Sequence, residues 1–328
     1  ASYLSQADPG ESKEWDFGSV KNLHARELAA STWLASGDAG TLRGDVTLTA
    51  CGCHPLDVMP ELPEVETTRR GIAPLITMKV VSGAIVRESR MRQPVTARLA
   101  EILSGQCLHK VGRRGKYLLL QMDRGHLLVH LGMSGSLRIV DSATPPQRHD
   151  HVDILFGSIA LRLRDPRRFG MVLWFETPPQ QHPLLAALGP EPLQDEFDGD
   201  HLHRASRGRS VAVKQFIMNA HIVVGVGNIY ASEALYRAGI HPARAAGRIS
   251  RKRYALLAGA IRGVLREAIS AGGTTLQDFR REDGRPGYFA QQLHVYGREG
   301  EQCSGCGTAV RKQVIGQRSS YYCPSCQR

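Results

Sequence analysis

Four cysteines at the C-terminal end constrain this chain most tightly. Cys303-x-x-Cys306 is followed by sixteen residues and then Cys323-x-x-Cys326. Two such knuckles supply four thiolates in the tetrahedral arrangement that Zn²⁺ takes in structural sites, so this end of the chain is predicted to fold around one metal ion. The competing reading is a pair of redox couples, but no thioredoxin-like pattern surrounds them. Residues 308–322 read as strand, turn, strand, with Gly316 near the turn. Arg311, Lys312 and Arg318 make the module basic. Such a staple either presents cations to a polyanion or is purely structural, and spacing does not decide between these.

Charge divides the chain unevenly. The 328 residues carry a net charge of +11 and fit about two domains of ~100–200 residues. Residues 1–58 hold eight acidic and four basic side chains, a net −4; the remainder carries +15. A basic excess of that size favours a polyanionic partner. No apolar run approaches the ~20 residues of a membrane helix, and seven cysteines are too few for a disulfide scaffold. Residues 1–58 show no sustained period, and they lack the composition of a transit peptide and the apolar core of a signal peptide. They read as a disordered extension or an upstream artefact. Cys51-Gly52-Cys53-His54 offers only three local ligands, which argues against a zinc site there.

The rest reads in two halves. A helix is expected over 61–75, with Val65, Thr68, Ile72 and Leu75 on one face, Pro63 near its start, and acids early and arginines late. Short strands follow at 117–121, 127–131 and 159–164, the last after a Gly157-Ser158 turn. Residues 190–199 turn polar and suit a linker. Beyond them the period changes, and helices are expected over 211–218, 229–238 and 254–270. Ser250 is placed to cap the last, and Gly272-Gly273 to end it.

Two further runs carry a resemblance: Met59-Pro-Glu-Leu-Pro-Glu-Val-Glu-Thr67, and Gly225-Val-Gly-Asn-Ile-Tyr-Ala-Ser-Glu233. Together with the cysteine module, and in this order, they resemble the formamidopyrimidine-DNA glycosylase family over residues 59–328. The resemblance implies an α+β chain. An N-terminal β-sandwich with a catalytic helix spans 59–190, a helical helix–two-turn–helix domain spans 191–294, and a zinc-finger β-hairpin spans 295–328. It implies one structural Zn²⁺, held by Cys303, Cys306, Cys323 and Cys326. It also implies a cytoplasmic, nucleoid-associated bacterial monomer. Its partner would be double-stranded DNA carrying oxidised purines or abasic sites, which it would process as a bifunctional glycosylase and abasic-site lyase.

The resemblance also implies residue roles. Pro60 would be the nucleophile, through its α-amine, once Met59 is removed. An α-amine titrates near ~7.7–8.0, so much of it is neutral at pH 7. On residue type alone, Pro60 would simply open a helix. Glu61 would transfer protons, where its ordinary role is to favour the helix dipole. Lys116 would stabilise anionic oxygens, and Arg318 would hold phosphates during δ-elimination. Asn228 would bind a phosphate beside Gly225 and Gly227, which allow close backbone approach. Lys214, Arg209, His149 and Arg167 would contact DNA; Arg209 stands where the family often has Lys. His149-Asp150-His151 suggests a metal, but no third ligand at suitable spacing accompanies it. Met133, Arg167 and Phe169 would fill the gap left by a flipped base, although Met133 and Phe169 could be core residues. Residues 272–289 resemble the loop that closes over the base.

One feature opposes this scheme. In the chain as given, 58 residues precede Met59, so the Pro60 nitrogen is a tertiary amide and cannot attack. Three readings follow. Met59 is the translation start, or the extension is removed after translation, or the product binds damaged DNA without lyase activity. Cys107 has no assigned role.

Overall fold

The computed structural model describes residues 60–272 and 293–328, all within one compact unit that spans Cys53–Arg328. The acidic extension, Cys51, Cys53 and His54, and residues 273–289 of the expected base-closing loop lie outside the described residues.

Helix α1 (Leu62–Ile76) comes first. Its apolar stripe is continuous in sequence but serves two cores. Leu62 lies in the core of the helical lobe, whereas Val65, Ile72 and Ile76 lie in the core of the sandwich. The helix runs one residue further than its periodicity predicts, because Ile76 is fully buried. Its late arginines pair sideways: Arg69 and Arg70 both bind Glu66 at 2.8 Å.

The sandwich is made of two antiparallel sheets. Strands β1 (Lys79–Val80), β3 (Cys107–Arg114), β4 (Tyr117–Met122), β5 (His126–His130) and β9 (Met171–Phe175) form one, in the order β1-β3-β4-β5-β9. Strands β2 (Gly83–Val86), β6 (Ser136–Asp141), β7 (Asp150–Phe156) and β8 (Ile159–Arg164) form the other, in the order β2-β7-β8-β6. Helix α2 (Leu99–Leu103) closes one end. Alternation supplies the core: Val111, Leu118, Leu120 and Val129 face Leu137, Ile139, Ile154 and Leu161. Gly157, at φ 69, makes the β7–β8 turn in the left-handed region that suits glycine.

Arg162 on β8 is fully buried and is held by a bidentate pair to Asp153, at 2.9 and 2.8 Å, and by the Thr144 and Pro145 carbonyls. Asp150, also buried, pairs with Arg138.

After helix α3 (Pro183–Ala186), the stretch expected as a linker joins the lobes but is tied down. Phe197 enters the helical core, and Glu191 is buried against Arg113 and Arg114. The helical lobe comprises α4 (Gly199–Ser206), α5 (Val213–Met218), α6 (Asn228–Arg237) and α7 (Arg251–Gly272). Ser250 caps α7 by accepting from the Arg253 N–H at 3.4 Å. Strands β10 (Arg311–Ile315) and β11 (Arg318–Tyr322) form the hairpin between the cysteine pairs, turning at Gly316 and Gln317 with φ 57 and 61. Among the described residues no helix is long and apolar enough to cross a membrane.

Replacing Arg162 with Met should leave Asp153 and Asp150 underpaired in the interior. Removing one partner of a buried ion pair costs ~3–5 kcal/mol. Urea unfolding should show a loss of that order, and a loss below ~1 kcal/mol would contradict the buried network.

Candidate active site

The site begins where α1 meets α6. The Glu61 carboxylate, at the N-cap of α1, reaches across to the start of α6. It accepts from the backbone N–H groups of Gly227 at 2.8 Å, Ile229 at 3.0 Å and Tyr230 at 3.4 Å. These belong to the unpaired donors at a helix start, where the dipole also favours an anion. In return the Leu62 N–H donates to the Gly225 carbonyl at 3.1 Å. Glu64 completes the joint: it accepts from the Glu61 N–H at 2.9 Å and from the Tyr230 hydroxyl at 2.6 Å. The glycines of the Gly225-Val-Gly run serve this contact. A Cβ on Gly227 would overlap the Glu61 carboxyl, and one on Gly225, at φ 82, would collide with the Leu62 side chain.

Pro60 is therefore fixed at the junction of the two lobes. Burial pushes the Glu61 carboxyl above its ordinary range, while the Lys116 charge and the α6 N–H groups pull it down. Lys116 lies close enough to act on Glu61 and sits on the β3–β4 turn. Glu191 grips that turn, accepting from the Gly115 N–H at 2.6 Å.

The helical side brings Asn228, Lys214 and Arg318 to the same region. Asn228 opens α6 and donates to the Tyr296 hydroxyl at 3.3 Å. Tyr296 is held by Glu233, whose carboxylate collects the N–H groups of His294, Val295 and Tyr296 at 2.8–3.0 Å. Arg318 is exposed at the start of β11. The resemblance gives Lys214 a place near the DNA backbone. It is only 1% exposed, and its ammonium donates to the Ser319 carbonyl at 2.9 Å and the Ser320 hydroxyl at 2.8 Å, anchoring the hairpin. Burial lowers it to about 7, although Glu61 opposes the shift. Arg209 is exposed and stacks over Phe216 at 5.8 Å, and no described contact joins it to the Glu61 cluster.

The sandwich lobe contributes a second group. Arg167 lies 5.0 Å over the ring of Phe169, which is 41% exposed, so Phe169 is a surface side chain and not a core one. Met133 is half-buried on the facing loop. His149 is half-buried before β7 with φ 75, and its ring meets His151 edge-on at 6.1 Å. His151 is committed to the Asp165 carbonyl at 2.8 Å, which disfavours a His149–His151 metal pair. His130 links the groups. It lies within reach of the Lys116 charge and accepts through Nδ1 from Gly132, next to Met133; burial lowers it to about 4.

The cysteines fit the metal expected of them. The four Sγ atoms lie within 4.8 Å of one another, with Cys303–Cys326 at 3.9 Å and Cys306–Cys323 at 3.4 Å. Tetrahedral Zn–S bonds of ~2.3 Å put sulfurs ~3.8 Å apart. None of the four is in a disulfide, and the Gly305 and Cys326 N–H groups point at Cys303 and Cys323 sulfurs.

Family models match the same regions: the formamidopyrimidine-DNA glycosylase N-terminal domain over 59–172, its H2TH domain over 188–280, and a zinc finger found in FPG and IleRS over 300–328. The chain belongs to the formamidopyrimidine-DNA glycosylase family. It is 63% identical over 271 residues to the formamidopyrimidine-DNA glycosylase of Syntrophotalea carbinolica and 60% identical over 271 residues to that of Methylococcus capsulatus. Each match covers 82% of this chain and all of the relative. Residues 59–328 make up that share. Solved structures of Lactococcus lactis Fpg agree. Its complex with abasic-site DNA matches at TM-score 0.74 and 32% identity, covering 82% of this chain and 99% of that one. Its complex with Fapy-dG DNA matches at 0.74 and 32%, covering 82% and 100%. The cysteine module of this family member is its structural zinc site.

Sequence reading passed over Glu64, His130, Asp165, Glu191, Glu233 and Tyr296. All but Tyr296 act mainly by holding loops, and single acids or histidines carry no spacing signal. Glu64, Tyr230 and Glu233 stood inside the quoted runs, but no role attached to them there.

Two outcomes follow. Gly227→Ala should displace Glu61, lowering unfolding free energy by ~1–3 kcal/mol, as overpacking does, and reducing DNA-processing activity in gel assays. A strong chelator should release one zinc per chain, measured by a colorimetric dye, and abolish DNA binding while the sandwich keeps its strand circular-dichroism signal. Retained binding by metal-free protein would contradict the anchored hairpin.

Proposed function

We propose that this family member excises oxidised purines, 8-oxoguanine and formamidopyrimidines, from double-stranded DNA and cleaves the resulting abasic site, with Pro60 as the nucleophile of an active form that begins there. The observation carrying this reading is the Glu61 clasp. It fixes Pro60 and Glu61 between the start of α6, whose N–H groups Glu61 itself takes, and the cation Lys116.

The chemistry follows from these groups. A neutral secondary amine attacks C1′ and the C1′–base bond breaks, the base leaving with a proton. The attached amine gives up its proton, the C1′–O4′ bond breaks with O4′ taking a proton, and the ring-opened iminium acidifies the C2′ proton. Loss of that proton breaks the C3′–O bond, and a second elimination breaks the C5′–O bond. A carboxyl whose pKa is raised by burial keeps its proton to higher pH than a free glutamate and can pass it, which assigns the transfers to Glu61. Lys116 and Arg318 stabilise the anionic oxygens and phosphates. Asn228, Arg209 and His149 bind the DNA backbone, with Lys214 behind them holding the hairpin. Met133, Arg167 and Phe169 enter the duplex, offsetting the few kcal/mol that flipping costs. The domain limits proposed are 59–190, 191–294 and 295–328. The proposed working state is a monomer in the bacterial cytoplasm, at the nucleoid.

Borohydride trapping on 8-oxoguanine duplex should yield a covalent adduct at Pro60 for a chain that starts there, and none for the full chain. An adduct-free Pro60-start chain would leave a damage-binding protein, and an adduct mapped elsewhere would give the role to another amine. Glu61→Gln should slow base excision by ~10²-fold or more. In the parent protein the proton-donating form of Glu61 is lost as pH rises through its raised pKa. The single-turnover rate should therefore carry a falling limb that the Gln variant lacks. DNA affinity should fall ~100-fold between 50 and 200 mM salt if about four phosphates are neutralised.

A further inference from the structure

One fully buried carboxylate sits beneath the DNA-facing surface of the sandwich lobe. Asp165 is 0% exposed. Its Oδ1 accepts from the Ser134 hydroxyl at 2.9 Å and from the Arg167 N–H at 3.3 Å, and its Oδ2 accepts from the Gly170 N–H at 2.8 Å. Its own backbone N–H donates to the His149 carbonyl at 3.0 Å, and its carbonyl accepts from the His151 ring and the Arg168 N–H. Those partners flank Met133, Arg167, Phe169 and His149. The loops carrying them also lie back to back. A Cβ on Gly132 would strike the Phe169 carbonyl carbon at 2.5 Å, and one on Gly170 would meet the His130 carbonyl at 2.8 Å. The loops can therefore approach only with glycine there and with an acceptor between them to satisfy their donors.

We infer that Asp165 is the positioning residue that sets Met133, Arg167, Phe169 and His149 in one arrangement for entry into the duplex. Asp165 never touches DNA itself. Without it, the Ser134 hydroxyl and the Gly170 N–H lose their acceptor and the Arg167 N–H keeps only the Ser134 oxygen at 3.3 Å, and a buried donor without a partner drives its loop toward water. An asparagine keeps the volume but turns one oxygen into a donor, so it faces either Gly170 or the Ser134–Arg167 pair with the wrong polarity. The inference rests on the proposed insertion role of Met133, Arg167 and Phe169.

The test separates insertion from chemistry. Asp165→Asn, Ser134→Ala, Met133→Ala and Arg167→Ala would be compared with the parent. Insertion would be read on the full chain from 2-aminopurine fluorescence opposite the lesion. Excision of 8-oxoguanine from duplex would be read on a chain starting at Pro60, the stretch that spans the whole length of the curated relatives. Cleavage of a preformed abasic site in single-stranded DNA, which has no stack to open, would be the control. Asp165→Asn should reduce both the insertion signal and duplex excision at least tenfold and leave single-strand cleavage within twofold. Ser134→Ala should give a smaller loss of the same pattern. Parent-level duplex excision by Asp165→Asn, with Met133→Ala and Arg167→Ala impaired, would overturn the positioning role and spare the insertion reading. Equal loss of all activities with a lowered melting temperature would overturn it in favour of a folding role, unless Ser134→Ala, melting like the parent, still shows the selective loss. Unimpaired Met133→Ala and Arg167→Ala would overturn both readings.

Discussion

The active-site architecture depends on a carboxylate from one helix closing the start of another. Glu61 satisfies N–H groups of α6 that would otherwise be unpaired in a buried joint, and the α6 dipole favours the charge placed there. The exchange holds because α1 belongs to both cores: Leu62 is committed to the helical lobe, and Val65, Ile72 and Ile76 to the sandwich. Rotation of one lobe against the other would strip Glu61 of its donors and pull Leu62 from its packing. The residue before Glu61 is thus held at this joint. That is the physical reason a terminal amine there can be aimed.

The same device recurs, among the described residues, under loops that carry the proposed DNA contacts. Glu191 takes the Gly115 N–H beneath Lys116, Asp165 takes the Arg167 and Gly170 N–H groups, and Glu233 takes three N–H groups ahead of Tyr296. A surface meant for a polyanion must crowd cations that repel one another. Asp165 and Glu233 bind backbone instead of those cations and fix their loops without neutralising the charge presented, whereas Glu191 also pairs with Arg113 and Arg114. Lys214 is the exception, a family cation spent inside the structure on the zinc hairpin.

Much of this was legible in the sequence, for physical reasons. The cysteine knuckles have a spacing that geometry demands, and their sulfurs converge. The α7 helix and the β7–β8 hairpin announced themselves through period and turn residues. The proposed catalytic pair and the Gly-Val-Gly-Asn run were visible only through resemblance, since a proline and a glutamate at a helix start ordinarily mean nothing more. Strand β3 was missed because Lys110, Arg113 and Arg114 break its alternation. Residues 190–199 read as a loose linker because their polarity hid one buried glutamate and one buried phenylalanine. Long-range partners such as Asp165 with Ser134 leave no mark on local pattern.

Amide hydrogen exchange, compared between the parent and Glu61→Ala, tests the clasp most directly. The account predicts that Gly227, Ile229 and Tyr230 lose protection in the variant, while the central amides of α7 keep theirs. Unchanged protection at those three amides would contradict the claim that Glu61 joins the lobes.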